Sequence, residues 1–408
     1  MPRQILIAVV LLFSGVLLLL QGCATPGRLS AVPVKETTRA TIPDIPNARF
    51  WVDSDLEPMI RETHAAIERE QASWGDLGHH GVLPPAYFLA VSGGGDDGAF
   101  GAGLLVGWTK AGDRPQFKLV TGVSTGALIA PFAFLGPEYD DVLRAVYTNV
   151  APKDIATPRG WLSALTDDAI ADNQPLLALI GQYVNEAFLA RIAEEYQKGR
   201  LLLIGTTNLD ARRPVVWNMG AIAVAAKDHP KALELFRKIM LASAAIPGAF
   251  PPTMIDVEVD GQPYQEMHVD GGATRQLFLY PARLSDAAQH DHLRVFAQRP
   301  RTAYIIRNAR LDPEWSSVER SALTIVGRAI SSLIQTQGVG DLDRLYLVAQ
   351  KDGVDFNLAY IGADFNAEHQ EDFDTAYMRA LFDYGYRLGS KGYPWQKTPP
   401  GLTAGATP

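Results

Sequence analysis

From Ala86 onward, short uninterrupted apolar runs alternate with longer stretches of helical period, and this alternation restricts the fold more than any other feature. The runs are Tyr87 to Ser92, Phe117 to Val120, Leu201 to Thr207, Ala303 to Ile306 and Phe356 to Ile361, with a hairpin from Met254 to Val269 turning at Asp260-Gly261. A strand that is apolar at every position has no face to offer water, so it belongs in a sheet covered on both sides. Strands separated by helices pair in parallel, so the expectation is an α/β domain with a mostly parallel sheet. Ser54-Asp55-Leu56-Glu57 has the pattern of a capping box and predicts a helix to about Ser73, broken by the stretch from Gly75 to Pro85. Ser316 with Glu319 predicts another helix through about Ile334. Phe373, Tyr377, Leu381, Tyr384 and Leu388 recur at spacings of four and three, so the last helix presents one apolar face before Gly389 ends it.

The core must hold such a fold unaided. One cysteine, Cys23, among 408 residues excludes an internal disulfide and any multi-cysteine metal cage. With 47% apolar residues, one large domain or two ordinary ones bury enough surface to be stable. Lys and Arg number 37 against 45 Asp and Glu, a net charge of -8, which argues against nucleic acid as a partner and against electrostatic attachment to an anionic membrane. His64, His79, His80, His229, His290, His292 and His369 show no ligand spacing, so no metal is expected.

Ile5 to Leu20 is free of charge and follows Arg3. It is shorter than the ~20 residues of a spanning helix and suits the core of a signal peptide, with a plain membrane anchor as the alternative. Leu20-Gln21-Gly22-Cys23 resembles the lipobox of bacterial lipoproteins. That resemblance implies removal of residues 1–22, a diacylglyceryl thioether on Cys23 and an acylated new amino terminus, enough chains to hold a protein stably at a bilayer. Ala24 stands where the inner-membrane retention signal has Asp, which points to the outer membrane of a bacterial envelope. Residues 24–50 carry four prolines and no amphipathic period. Residues 23–50 are therefore expected to be a lipidated tether, with a reach of roughly 30 Å if flexible.

Three motifs carry chemistry. Gly122-Val123-Ser124-Thr125-Gly126 follows one apolar run and precedes an apolar helix starting near Ala127, with Pro131 predicting a kink or a late start. In a nucleophile elbow the serine sits on such a strand-to-helix turn, and a plain structural turn is the other reading. Ser92-Gly93-Gly94-Gly95-Asp96-Asp97-Gly98 follows the first run. As a dinucleotide fingerprint it lacks the acid at the end of the next strand, and no Lys-Ser or Lys-Thr pair makes it a phosphate loop. Three bare glycines instead offer backbone N–H donors to an oxyanion, or simply form a turn. Asp270-Gly271-Gly272 follows His268-Val269 and, taken alone, reads as a turn.

In this order, and joined by Ser243-Ala244-Ala245-Ile246-Pro247-Gly248-Ala249-Phe250-Pro251-Pro252, the motifs resemble those of the patatin-like phospholipase family over roughly Ala86 to Arg283. The resemblance implies a three-layer α/β/α sandwich and a hydrolase acting on ester-linked fatty acyl chains of phospholipids or neutral lipids, without cofactor or metal. It casts Ser124 as the nucleophile, Asp270 as its proton acceptor, Gly93, Gly94 and Gly95 as the oxyanion loop, and Gly98, Gly122, Gly126, Gly271 and Gly272 as motif glycines. One departure is Asp97, beside Asp96, where the family commonly has Arg or Lys; both are expected to point away from the site. His268 shares a strand face with Asp270 by alternation, for support or for packing. Thr206, Thr207, Asn208 and Asp210 are candidates to line the pocket. The implied organisation is a helical segment 51–85, a catalytic domain 86–283, an α/β extension 284–390 on the same core, and a loose tail 391–408. Two other readings stand beside this one. One is an α/β-hydrolase triad using His290, His292 or His369; the other, favoured by Asp96 and Asp97, is a non-catalytic envelope lipoprotein that binds lipid or a partner.

Overall fold

Both faces of the apolar runs are covered. The computed structural model describes residues 27–79, 81–160, 168–281, 299–312, 315 and 317–402, so Cys23, the leader, His80, His290, His292 and Ser316 lie outside the described residues. Five strands form the parallel centre of a nine-stranded sheet: β2 (Ala86–Val91), β3 (Leu119–Val123), β4 (Leu201–Asn208), β8 (Arg301–Arg307) and β9 (Asp355–Tyr360). The antiparallel flank adds β1 (Arg49–Phe50), β5 (Arg213–Asn218) and the hairpin of β6 (Thr253–Val259) and β7 (Gln262–Asp270). The order is β1-β5-β4-β3-β2-β8-β9, with β7 also pairing β4. Successive residues serve opposite faces. Leu89, Val91, Val120, Leu202 and Ile204 enter one core cluster with helices α2 (Gly98–Ala111), α3 (Thr125–Leu135) and α8 (Lys231–Ser243). Phe88, Ala90, Leu203, Ile305 and Phe356 enter the other, against Leu342 and Leu345 of α9 (Ala322–Asp352). Each Val, Leu, Ile or Phe among them contributes about 1.5–3 kcal/mol on burial.

The remaining helices are α1 (Glu57–Asp76), α4 (Asp140–Thr148), α5 (Gln174–Tyr183), α6 (Glu186–Gln197), α7 (Met219–Ala225) and α10 (Thr375–Ser390). Helices α2 and α10 approach backbone to backbone. A Cβ on Gly103 would overlap the Phe382 carbonyl, and one on Gly389 the Leu104 carbonyl. Gly389 is therefore a contact inside α10 and not its end.

Several expectations are corrected. Helix α1 starts at Glu57, because Arg213 holds the Ser54 hydroxyl and Asp55 Oδ1 instead accepts the Glu57 N–H at 3.2 Å. It runs through Gly75 to Asp76. Helix α9 has 31 residues and does not stop near Ile334; Ser321 caps it, and Gly338 continues it with the Arg307 guanidinium lying where a Cβ would be. Helix α3 begins at Thr125 and continues past Pro131. Strand β5 is not among the expected runs; it pairs antiparallel at the flank of β4.

The tether is corrected from Arg28 onward. Arg28 grips Asp210 with two bonds of 2.8 and 2.7 Å, Thr41 bridges Glu258, and Ile42, Ile45, Ala48 and Phe50 are buried. Arg49 and Glu266 form a buried ion pair, with the guanidinium 5.4 Å from the Trp51 ring and 5.6 Å from the Trp217 ring. Burial works against ionisation of Glu266, yet the Arg49 charge and the His268 hydrogen bond hold its pKa down at about 2. A segment whose apolar residues fill gaps singly has no period to read. The tail is likewise built in as far as Lys397: Gln396 bridges Leu358, Trp395 packs 4.8 Å from Trp108, and Lys397 pairs with Asp355. The segment 284–390 supplies β8 and β9, and β8 lies between β2 and β9, so it completes the sheet.

Candidate active site

One edge of β4 brings Ser124 and Asp270 together. Strand β3 runs parallel along it and ends with Val123 opposite Gly205. At the next residue, Thr206, the antiparallel β7 takes over the same edge with Asp270 opposite it. The two strands thus point their ends at each other, and the first residue past β3 is Ser124.

Ser124 has φ 55° and ψ −127°, a conformation that side-chain-bearing residues avoid and that active sites store as strain. The turn closes so tightly that a Cβ on Gly122 would overlap the Gly126 carbonyl, and one on Gly126 the Val91 carbonyl. Ser243, at the end of α8, fixes the turn: its Oγ accepts the Ser124 N–H at 2.9 Å and donates to the Gly205 carbonyl at 2.7 Å. Two residues on, the Ala245 carbonyl accepts the Asp270 N–H at 2.9 Å. The stretch from Ser243 therefore braces both members of the pair.

Asp270 and Ser124 are 4% and 6% exposed, so the carboxylate is almost entirely removed from water. Burial pushes its pKa up to about 7, against the opposing pull of hydrogen bonds from Ser124 and from the Gly272 N–H at 2.7 Å. Among the described residues no imidazole stands between them.

The glycine loop lies against the serine: a Cβ on Gly93 would come within 3.1 Å of the Ser124 Cβ. No described residue accepts a hydrogen bond from the backbone N–H of Gly93, Gly94 or Gly95. The loop is shaped from behind by Asn308, which follows β8. Its N–H donates to Ser92 Oγ at 2.8 Å, its Nδ2 donates to the Ser92 carbonyl at 3.0 Å, and its Oδ1 accepts the Gly101 N–H at 3.0 Å. Gly98 opens α2 pressed against Thr125, and Gly271 and Gly272 turn the chain beside Gly205 and Gln276. Asp97 is held by a partner outside the loop, whereas Asp96, although bonded to the segment leading into α10, also forms part of the wall of the apolar pocket described below. Asp96 Oδ2 takes His369 Nε2 at 2.7 Å and the Phe373 N–H at 2.8 Å, and Asp97 Oδ1 takes the Tyr377 hydroxyl at 2.6 Å. Both carboxylates are thus engaged by partners other than the Ser124–Asp270 pair, and His369 is tied to the loop.

Other candidates have different work. His268 is fully buried, with Nε2 3.0 Å from Glu266 and Nδ1 2.9 Å from the Thr206 hydroxyl. It belongs to the Arg49 network that seats the N-terminal segment. Thr207 bonds Thr274, Asn208 caps the turn at Ala211, and Asp210 holds Arg28. Sequence reasoning missed the bracing role of Ser243, Asn308, and Gln276, whose amide lies between Gly93 and Gly272. The signals were a serine closing a helix and an asparagine after a central strand.

A partly open apolar pocket, about 600 Å³ with its solvent-filled mouth included, lies beside the elbow. Gly95 and Thr125, next in sequence to Ser124, form part of its wall, and Leu128, Phe132, Leu176, Ile180, Met240 and Phe373 complete much of the rest.

A serine on a strained elbow against a buried carboxylate, at the carboxyl edge of a parallel sheet, has the features of a serine esterase. Residues 89–283 match the model of the patatin-like phospholipase family. The chain is a serine hydrolase acting on carboxylic ester bonds, with lipid hydrolase activity. No curated protein matches the chain. Among solved structures it is similar to VipD from Legionella pneumophila, at 11% identity and a TM-score of 0.32 over 76% of this chain and 67% of that one. It is also similar to the type III effector protein ExoU, at 13% identity and a TM-score of 0.21 over 76% of this chain and 53% of that one, so it spans about half of that protein.

Proposed function

We propose that the chain is a lipid-anchored acyl hydrolase that works through a Ser124–Asp270 dyad and an acyl-enzyme. The observation that carries this reading is the buried Asp270 carboxyl, brought beside Ser124 by the register on β4 and raised to about 7. An aspartate in water, with its ordinary pKa of ~3.9, is a weak base, whereas one near neutrality exchanges protons readily. Ser124 Oγ attacks the ester carbonyl while its proton passes to Asp270. The carbonyl oxygen takes the negative charge, facing the N–H groups of Gly93 to Gly95 and the positive end of α3. The carbon–oxygen bond to the alcohol breaks as Asp270 returns the proton to it. Water then attacks the acyl carbon, gives its proton to Asp270, and Ser124 leaves with that proton, releasing the fatty acid. Incubation with a fluorophosphonate and with acyl esters tests this: protein that neither labels nor hydrolyses any ester defeats the reading.

The 600 Å³ pocket is where the acyl chain would lodge. Leu176→Trp should fill it and lower the rate on long-chain esters about tenfold relative to short-chain ones, the scale on which apolar pockets discriminate. Equal losses on both would separate the pocket from the acyl chain. The anchor is Cys23, the chain's one thiol. Incorporation of labelled palmitate in a bacterial host should vanish in Cys23→Ser, and unchanged incorporation would leave Cys23 an incidental residue after a signal peptide. An outer-membrane location follows from Ala24 as part of the same proposal.

A further inference from the structure

Helix α9 changes character halfway along. From Gln335 onward it lies against the sheet: Gln335 Oε1 accepts from Arg307 at 3.0 Å, Gln335 Nε2 donates to the Arg310 carbonyl at 2.9 Å, and Leu342, Leu345 and Ala349 enter the core. Arg307 ends β8, and β8, β2 and β3 are parallel and in register. Their carboxyl ends therefore lie at the edge that carries Ser124 and the glycine loop. The 13 residues from Ala322 to Ile334 project past that edge, a rod of about 20 Å.

This half-helix is turned inside out. Between Ser321 and Gly340 the sole charged residue is Arg328. At 100° per residue Ile325, Val326, Ala329, Ile330 and Leu333 form one stripe, and Arg328, Ser331 and Gln335 lie on the opposite side. In an ordinary surface helix the apolar stripe faces the core. Here Gln335 is on the side that touches the protein, while Ile325, Val326 and Leu333 are 51%, 55% and 70% exposed. Trp315, seven residues before the helix, is 89% exposed. Exposed apolar surface of this kind marks a binding face. No single described helix is long and apolar enough to cross a membrane, so the fitting geometry is a helix lying in an interface.

The opposite end of the same edge receives the N-terminal segment. Asp210 follows the carboxyl end of β4 and holds Arg28 there, with Leu29 and Leu209 48% and 37% exposed beside it. Cys23 is five residues before Arg28, a span of at most ~18 Å of extended chain. Between β4 and β8 are three strand spacings, about 14 Å. An acyl anchor on Cys23 and the half-helix would therefore bracket the mouth of the site.

We infer that the apolar stripe Ile325–Val326–Ala329–Ile330–Leu333, half-buried at Ile330 and exposed at the other four, is an interfacial docking helix that inserts into the acyl region of a lipid surface and turns the Ser124 edge toward it. The inference rests on the lipid hydrolase reading for its choice of occupant, and its test does not depend on catalysis. With a net charge of -8 the attachment is apolar in kind and works on neutral lipid. Because Cys23 is the one cysteine, the full chain carrying Cys23→Ser accepts single labels. A polarity-sensitive fluorophore on Ile325→Cys or Leu333→Cys should shift to the blue with phosphatidylcholine vesicles and be quenched by doxyl-labelled phosphatidylcholine. The same fluorophore on Lys110→Cys, exposed at the far end of α2, should do neither. Independently, Ile325→Ser combined with Leu333→Ser should slow hydrolysis of vesicle lipid about tenfold while leaving a soluble short-chain ester untouched, which also reports an intact fold. Labels at 325 and 333 that ignore lipid overturn the inference even if the enzyme is active. A blue shift that follows protein concentration without lipid would assign the stripe to a second copy of the chain and overturn it equally.

Discussion

Ser124→Ala is expected to lower ester hydrolysis by a factor on the order of 10⁴ or more and to abolish fluorophosphonate labelling, because the neighbouring hydroxyls of Ser243 and Thr125 are taken up by the Gly205 carbonyl and the Tyr147 hydroxyl. The expectation follows from the geometry of the elbow. Ser124 leaves β3 with φ 55°, its N–H tied to Ser243 and its side chain set between Gly93 and the Asp270 carboxyl. Alanine keeps the backbone and its strain while removing only the oxygen, so its melting temperature should stay near that of the wild type. Ser124→Gly differs in one respect. Glycine adopts a positive φ without the Cβ clash, and this variant should be equally inactive yet more stable by about 1 kcal/mol in denaturant titration. A Ser124→Ala protein that still labels and turns over would place the nucleophile elsewhere. A Ser124→Gly protein less stable than Ser124→Ala would show that the elbow is not strained.

What could be read in the sequence was what is local and steric. The central strands and the elbow glycines were legible because period and close approach are written in neighbouring residues: a Cβ on Gly126 has nowhere to go. The pairing of Ser124 with Asp270, 146 residues apart, was legible only through the resemblance. Its physical cause is the handover of the β4 edge at Thr206, a property of register that no single segment carries. Ser243 and Asn308 act as single residues and leave no signal beyond their place at the end of a helix and of a central strand. The segment from Arg28 to Phe50 misled because it packs residue by residue, and the run of α9 beyond Ile334 was not foreseen, where Gly338 makes room for Arg307. The apolar stripe of α9 escaped notice for the opposite reason. Its period is regular, and nothing in a period says which side faces the protein.

Asp270→Asn is expected to lose hydrolysis to a similar degree and at the same time to stabilise the fold, with a pH dependence that separates the two effects. Asparagine is nearly isosteric and its amide oxygen can still accept the Gly272 N–H, but it cannot take the proton of Ser124. The wild-type carboxyl is buried, with a folded pKa near 7 against 3.8 unfolded. The folded state thus binds this proton more tightly than the unfolded state, and stability falls as pH rises between the two values. The shift corresponds to a cost on the order of 4 kcal/mol once the group is ionised, present in full above about pH 7 and absent below about pH 4. Denaturant titrations should therefore show Asp270→Asn well ahead of the wild type at pH 8 and level with it at pH 4. Catalysis runs the other way: the wild-type kcat/KM should fall as pH drops through about 7, where the base becomes protonated. Equal stability of the two proteins at pH 8, or a wild-type rate that stays flat down to pH 5, would mean that Asp270 is not the buried, neutral-pH base of this site.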